Sequence, residues 1–445
     1  MKFFIQTAGI FLQTLRANLR GRGAWVLPLL LVASALLLPR ALRGDGSMEA
    51  GFNLAVRYTL GLAAFALAIA GAASGAAAMA AERRSGSLAL TLVKPVRAVS
   101  LFAGKWLGVL AFCAILLAFA HALTLLPLRF GVAANGERYA DRMVSRETRG
   151  ATLAPAQGVA REALERMRRE GVLPKDMPER EVFKELVKQA QQGYDAASGG
   201  ESITWVFNFP RALKPGAEMG LRIIFDQQWG MLGDARGTVA LRPAGAKEWV
   251  FEKSVEGAVL QEVEVWFGEF DPAGHSAFEA RFTNTGGEGA ESVLIHPGRG
   301  VSLLVRGQSF WVNAARAYAL QLALVAVFIA LGVMLGAAFS MPVAAFAATV
   351  LYVLSMIAPA LVEEIYPDDE EKPGLFLRTG QVITLAFQKG LDPLVAPEPL
   401  TRLTRGEHIP AGMLGKSLAL GLVVFPGVAL LIFWGILRLR ASQED

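Results

Sequence analysis

Residues 82–108 read ERRSGSLALTLVKPVRAVSLFAGKWLG, a basic segment between two long apolar runs. The run before it, residues 61–81, consists almost entirely of small and aliphatic residues and carries no charge. The run after it, residues 106–126, is again apolar. Each charged side chain at the centre of a bilayer costs about 2.5 to 3.5 kcal/mol, which disfavours placing Glu82, Arg83 and Arg84 there. The segment therefore predicts a turn between two membrane spans.

The composition of the whole chain indicates a membrane protein. Of its 445 residues, 53% are hydrophobic and only 19% are charged, and the mean hydropathy is +0.40. A soluble domain rarely has this balance. Apolar runs of about 20 residues, enough to cross about 30 Å of hydrocarbon, predict six α-helical spans. These runs are 24–42, 56–81, 102–126, 317–339, 343–362 and 414–437.

The basic residues predict the orientation of these spans. They precede the first span, follow the second and follow the sixth: Lys2, Arg16, Arg20, Arg22, Arg83, Arg84, Lys94, Arg97, Lys105, Arg438 and Arg440. Such residues favour the cytoplasmic side, and an even number of spans puts both termini there. The acidic run at 363–371 falls on the other side, although Arg40 and Arg43 argue the other way. We expect a multi-pass inner-membrane protein whose net charge of +5 reflects orientation and not nucleic-acid binding.

The first 23 residues have a pattern of their own. Apolar residues fall on one helical face: Phe4, Ala8, Phe11, Leu12, Leu15 and Leu19. This pattern predicts an amphipathic helix on the inner membrane surface, in contact with lipid. A cleaved signal peptide is the alternative. The single cysteine, Cys113, lies in the third span and forms no disulfide within the chain.

The region between the third and fourth spans is predicted to lie outside the cytoplasm and to contain two parts. Residues 159–192 have apolar residues at helical spacing, interrupted by Pro174 and Pro178, which predicts a helical hairpin. From residue 202 onward the period changes to two, with short runs separated by turn residues, which predicts an antiparallel β-sandwich. Four tryptophans there either pack internally or offer stacking surfaces to a ligand such as a sugar: Trp205, Trp229, Trp249 and Trp266.

The basic segment resembles the loop between the second and third spans of type-two ATP-binding-cassette (ABC) permeases. The resemblance rests on an ordered set of residues: Glu82, Arg83, Gly86, Ser87, Leu88, Leu90, Pro95, Val96, Arg97, Gly104, Lys105 and Gly108. In that family six helices form one transmembrane domain, and the loop forms a coupling helix that seats in a separate cytoplasmic ATPase subunit. The resemblance implies such an ATPase and a second permease chain, identical or different, as partners. It also implies that ATP and magnesium bind the ATPase, with no cofactor on this chain.

The residues of the segment suit this role in physical terms. Leu88 and Leu90 offer an apolar ridge to a groove on a partner, and Glu82, Arg83 and Arg97 suit directional contacts at its rim. Pro95 ends a helix. The simpler interpretation is that any cytoplasmic loop contains basic residues and a helix breaker.

These observations divide the chain into seven parts. They are an interface helix (1–23), three spans with the coupling loop 82–101 (24–128), an extracytoplasmic helical region (129–201), an extracytoplasmic β-sandwich (202–312), two spans (313–362), an extracytoplasmic loop (363–413), and the sixth span with a cytoplasmic tail (414–445).

No catalytic or metal-binding motif supports an enzyme. The stretch 411–417, AGMLGKS, resembles the end of a phosphate-binding loop, but Pro410 occupies the position that requires glycine. The sequence therefore predicts the permease subunit of an ABC exporter with an unidentified cargo. The alternatives are a membrane-anchored receptor or envelope scaffold whose β-sandwich binds glycan or protein, and a permease relative that acts mechanically on an envelope complex.

Overall fold

The computed structural model describes the chain apart from a set of short segments and one longer one. The residues outside the description are 1, 22, 42–47, 85–96, 134–135, 153–159, 162–163, 166, 170–177, 193–194, 227–234, 259–260, 269–270, 273, 287–291, 299, 366–393, 395–397 and 445. The chain forms two compact units. One contains Met1–Val144 and Ser309–Asp445, and the other is Ser145–Gln308.

The first unit, called here the helical unit, contains the apolar helices. Its helices are α1 (Lys2–Arg20), α2 (Gly23–Ala41), α3 (Met48–Asn53), α4 (Thr59–Arg84), α5 (Ala98–Phe130), α7 (Phe310–Ala338), α8 (Met341–Ile365), α9 (Pro399–Thr404), α10 (Ala411–Ala419) and α11 (Phe425–Glu444). A π-helical turn at Leu54–Tyr58 joins α3 to α4, and another at Leu420–Val424 joins α10 to α11. Helix α6 (Glu179–Gln192) belongs to the other unit.

Four helical stretches in the described residues are long and apolar enough to cross a membrane. They are Met48–Arg84, Ala98–Phe130, Phe310–Ala338 and Ala411–Leu439. The pair Phe3–Arg20 and Trp25–Leu38 qualifies together but is bent by 62°, and Met341–Leu354 is a shorter apolar stretch. The structure thus supports a membrane helical domain with four or five spans, and the predicted count of six is not confirmed.

Glycines allow α4 and α7 to pack closely. A Cβ atom added to Gly332 would lie 2.1 Å from the carbonyl oxygen of Ala72, and one added to Gly336 would lie 2.6 Å from that of Ala76. On the other side of the contact, a Cβ on Gly71 would lie 2.7 Å from Cγ1 of Ile329. The small residues spaced four apart therefore serve packing within the chain, because only glycine permits these backbones to approach so closely.

The second unit, called here the β unit, consists mainly of antiparallel strands. They are β1 (Ser145–Gly150), β2 (Asp195–Ala197), β3 (Ser202–Asn208), β4 (Met219–Ile224), β5 (Ala235–Pro243), β6 (Phe251–Gly257), β7 (Glu262–Phe267), β8 (Ala277–Asn284), β9 (Val293–Ile295) and β10 (Val301–Gln308). Sheet A has the order β1-β10-β4-β7, sheet B has the order β3-β8-β5-β6, and β2 pairs with β9.

The two sheets share one hydrophobic core. Alternate residues of the strands point into it, including Phe207 and Phe282 from sheet B and Leu221 and Leu303 from sheet A, all fully buried. The period of two in the sequence has this cause, since successive side chains of a strand point to opposite faces. The predicted antiparallel β-fold is confirmed, and the buried aromatics come from both sheets, as in a sandwich.

The region 129–201, predicted to be helical, differs in part from that prediction. Residues 129–144 belong to the helical unit, and the region contributes β1 and β2 to the sheets. The described helical part is α6, together with helical residues between 160 and 169. The strand β1 escaped the sequence analysis because its residues, SRETRG, are polar and do not alternate. Its burial comes from pairing with β10 along its whole length.

Candidate coupling site

The predicted coupling residues divide into those that the structure describes and those outside the description. Gly86, Leu88, Leu90, Pro95 and Val96 lie outside the described residues. The residues that flank them are described: Glu82, Arg83 and Arg84 end α4, Arg97 precedes α5, and Gly104 and Lys105 lie in the second turn of α5. The site therefore consists of the two helix ends from which residues 85–96 depart.

An ion pair joins the two helix ends. Lys105 Nζ lies 2.6 Å from Oε1 of Glu82, and the two side chains are 7% and 25% exposed. Lys105 also donates a hydrogen bond to the carbonyl oxygen of Ala78, 3.1 Å away, in the last turns of α4. An ammonium group near a helix C-terminus is stabilised by the partial negative charge of the last carbonyl groups. Lys105 thus fixes the start of α5 against the end of α4.

Arg83 makes a second contact between helix ends. Its Nη1 donates a hydrogen bond to the carbonyl oxygen of Ala338, at 2.8 Å. Ala338 is the last residue of α7, and the last four carbonyl groups of a helix have no partner within that helix. Arg83 therefore caps α7. The sequence predicted a contact of Arg83 with a partner, because one sequence does not show which distant carbonyl group a basic side chain reaches.

Gly104 packs against the N-terminal helix. A Cβ atom at this position would lie 2.7 Å from Cβ of Ile10, and one at Gly108 would lie 2.7 Å from Cβ of Thr14. The two glycines, one turn apart, let α1 lie directly on α5. Gly104 and Lys105 thus contact elements of this chain, and a direct contact of either with an ATPase stays a prediction.

The exposed surface of α1 is mixed, because Gln13, Arg16 and Arg20 are exposed beside apolar side chains. In the described chain these large side chains are exposed: Phe4, Ile5, Leu12 and Leu19. A helix that exposes both apolar and basic side chains is typical of a helix at a membrane surface.

Two basic residues at the helix ends are exposed. Arg84 at the end of α4 and Arg97 before α5 both face solvent, on either side of residues 85–96. They are the exposed basic residues in the described part of this segment. The site as a whole contains a partly buried ion pair, a helix cap and two exposed guanidinium groups. In the described residues, no group of three or more His, Cys, Asp or Glu side chains is placed to hold a metal ion.

The tryptophans of the β unit differ from one another. Trp205 is buried in the core and donates a hydrogen bond from Nε1 to Oδ2 of Asp195, at 2.7 Å. Trp249 and Trp266 are half-buried and lie against guanidinium groups of the same chain. Trp229 lies outside the described residues. A role of any of these residues in ligand stacking stays a prediction.

A buried polar anchor that the sequence analysis missed lies at the start of α7. The side chain of Asn313 is fully buried; its Nδ2 donates to the carbonyl oxygen of Glu407 at 2.8 Å, and its Oδ1 accepts from the amide of Ile409 at 2.9 Å. Arg316, one turn later, donates to the carbonyl oxygen of Ile409 at 2.8 Å. The only sequence signal was one amide at the edge of an apolar run. Asn313 holds the segment that leads into the last helices.

Comparison with known families gives one result. Residues 9–147 match the family model described as ABC-2 family transporter protein. The match begins within α1 and continues through α5 to the start of β1. It includes residues 85–96, so it confirms the resemblance seen in the sequence. No curated protein and no solved structure is similar enough to count as a match.

Proposed function

We propose that this chain is the membrane-spanning subunit of an ATP-driven exporter, because residues 9–147 match the model of the ABC-2 transporter family. Hydrolysis of ATP takes place on a separate cytoplasmic ATPase, and this chain moves the cargo. A second permease chain, identical or different, completes the pathway. The family match carries this proposal, and the ion-paired helix ends around residues 85–96 support it.

In this proposal, residues 85–96 bind the ATPase and the helix ends transmit its movement. Closure of two ATPase subunits on ATP brings the two loops together. Since Lys105 ties α5 to α4 and Arg83 ties α4 to α7, a displacement of the loop moves three helices as one body. Packed helices with discrete arrangements suit such a switch between two states.

The proposed topology has six crossings in the inner cell membrane. Helices α2 and α8 supply the crossings beyond the four that qualify by length and composition. Both termini and residues 85–96 then face the cytoplasm, in agreement with the distribution of basic residues. The β unit and residues 363–413 lie on the opposite side, where the β unit receives or selects the cargo.

Co-purification with the native neighbouring proteins tests this proposal. Wild-type protein extracted in mild detergent is expected to carry an ATPase in equal amount. The double variant Arg84→Glu/Arg97→Glu reverses the two exposed charges and should lose the ATPase. Arg57→Glu is the matched control, because Arg57 is an exposed basic residue just before the opposite end of α4.

The result also separates the exporter from a membrane-anchored scaffold. A scaffold should purify without an ATPase in every variant, and the β unit should then carry glycan or an envelope protein. Recovery of the ATPase with the wild type and with Arg57→Glu, but not with the double variant, agrees only with the coupling role.

A further inference from the structure

The β unit contains two tryptophans that each lie against two arginines. On sheet A, the ring centroid of Trp266 lies 4.7 Å from the guanidinium carbon of Arg146 and 5.5 Å from that of Arg306. On sheet B, Trp249 lies 4.3 Å from the guanidinium carbon of Arg242 and 4.5 Å from that of Arg281. The two clusters share their aromatic and cationic parts, so the number of carboxylates in each can be compared directly.

The cluster on sheet A has a carboxylate for every arginine. Nη1 of Arg146 lies 2.6 Å from both carboxylate oxygens of Glu264, and Arg306 pairs with Glu218 at 2.6 Å. A third arginine of the sheet, Arg222, lies within 3.6 Å of both Glu264 and Glu262. Three arginines thus face three glutamates, and the cluster is neutral.

The cluster on sheet B has one carboxylate for two arginines. Arg242 pairs with Glu279, which lies directly opposite it in the strand register, at 2.6 Å. Arg281 has the ring of Trp249 as its contact in the described part of the chain, and forms no ion pair or hydrogen bond there. Its Nε atom is buried and has no hydrogen-bond partner. One positive charge is therefore left unbalanced.

The strand neighbours of Arg281 explain why no carboxylate reaches it. Across the sheet, Arg281 lies opposite Ala240 on one side and Thr204 on the other. The methyl group of Ala240 and the hydroxyl group of Thr204 supply no negative charge to the guanidinium group. The next acidic residue in that row, Glu252, lies beyond Ala240 on the edge strand and is exposed.

We propose that Arg281, held against Trp249, forms a binding site in the β unit for a phosphate or carboxylate group of a ligand. The planar guanidinium group presents paired N–H donors that match a carboxylate or phosphate. Contact with the tryptophan ring restricts the side chain before binding, so less conformational entropy is lost. The anion takes the place that Glu264 and Glu218 occupy in the cluster on sheet A. A soluble anionic sugar and a phospholipid headgroup both carry this chemistry.

Calorimetric titration of the full chain in nanodiscs of neutral lipid tests the proposal. Glucose 6-phosphate and glucuronate are the anionic probes, and glucose is the neutral one. We expect both anions to bind and glucose not to bind. Arg281→Gln should weaken anion binding about tenfold or more, since hydrogen bonds to charged groups are among the stronger ones. Arg306→Gln is the matched control, because Arg306 also contacts a tryptophan but already has a carboxylate partner, and it should bind the anions like the wild type.

Folding of the variants is checked in the same samples. Arg281 has no ion pair to lose, so the melting temperature of Arg281→Gln should stay within about 2 °C of the wild type. Arg281→Lys keeps the charge without the planar fork and should bind with intermediate affinity.

A short-chain phosphatidylglycerol, used below its micelle concentration, identifies the source of the anion. Tighter binding than glucose 6-phosphate assigns a lipid headgroup, and weaker binding assigns a soluble ligand. Absence of anion binding to the wild type, or equal binding to Arg281→Gln, would overturn the proposal.

Discussion

The ion pair between Glu82 and Lys105 should respond asymmetrically to mutation. The two side chains differ in burial, with Lys105 7% exposed and Glu82 25% exposed. Glu82→Gln leaves a buried ammonium group whose remaining partner is the carbonyl oxygen of Ala78. Lys105→Met leaves a carboxylate on a side chain that is only partly buried. The first change should therefore destabilise the protein more than the second.

The magnitudes follow from this burial. Removing one partner costs about 3 to 5 kcal/mol in a fully buried pair, whereas an exposed pair contributes about 0 to 1 kcal/mol. Because the pair lies between these limits, we expect a loss of about 2 to 3 kcal/mol for Glu82→Gln and about 1 kcal/mol for Lys105→Met. The double variant should resemble Lys105→Met, which corresponds to a coupling energy of about 2 kcal/mol.

Thermal unfolding of the four proteins in one detergent measures this asymmetry. A loss of 1 kcal/mol lowers the melting temperature by about 2 to 4 °C in a domain of roughly 150 to 250 residues and by less in a larger one, so Glu82→Gln should melt roughly 3 to 6 °C below the wild type. ATP hydrolysis by the purified complex should fall with the same ranking, since the pair joins the helices on either side of the loop. Equal shifts for the two single variants, or additive shifts in the double variant, would refute this account of the pair.

Three further predictions concern packing, pH and a buried hydrogen bond. Gly104→Ala should destabilise the helical unit by about 1 to 3 kcal/mol, because the new methyl group meets Ile10. Gly412→Ala is the control and should not destabilise it, because there is open space around Gly412. The rate at which a protease cleaves the N-terminal helix is compared between the two variants. Burial raises the pKa of Glu264, but the nearby Arg146 and Arg222 outweigh burial and lower its pKa overall. The ionised carboxylate therefore stabilises the fold at neutral pH, and this stabilisation is lost as the pH falls through the lowered pKa. Glu264→Gln should therefore lower the melting temperature of the β unit at pH 7, with a difference from wild type that shrinks below about pH 4, and a constant difference would contradict the pairing. Trp205→Phe removes one hydrogen bond from the core and should cost about 1 kcal/mol in chemical denaturation, and a cost near zero would show that Asp195 is satisfied by other groups.

The sequence alone predicted the parts of the fold that depend on local pattern. Apolar runs located the long helices, and the alternation from residue 202 onward located the β unit, as in β7 (Glu262–Phe267). Both signals depend on which face of an element is buried, and that property is written into neighbouring residues. The polar strand β1 was missed because its order comes from pairing with β10, 150 residues away.

The sequence predicted which residues belong to the candidate site, but it did not predict which groups those residues contact. Glu82, Arg83 and Lys105 were identified as functional because of their order in the segment. Their partners depend on tertiary packing: Lys105 reaches across to α4, Arg83 caps α7, and Gly104 receives α1. No local pattern specifies which helix end lies beside another. Glu82, Arg83, Gly104 and Lys105 thus contact this chain, Arg84 and Arg97 are exposed, and a contact of any of them with an ATPase stays a prediction.

Photo-crosslinking from the loop itself tests the coupling role most directly. A photoreactive amino acid at Leu90 in the complete chain, expressed with its native neighbours, should crosslink to an ATPase subunit, and the yield should change when a non-hydrolysable ATP analogue is added. The same group at Val250, an exposed residue of the β unit, should not reach the ATPase. Crosslinking from Leu90 and not from Val250 is the predicted result. Failure of Leu90 to crosslink to any ATPase, in cells where the chain is correctly inserted, would contradict the assignment of this chain as the coupled subunit of an exporter.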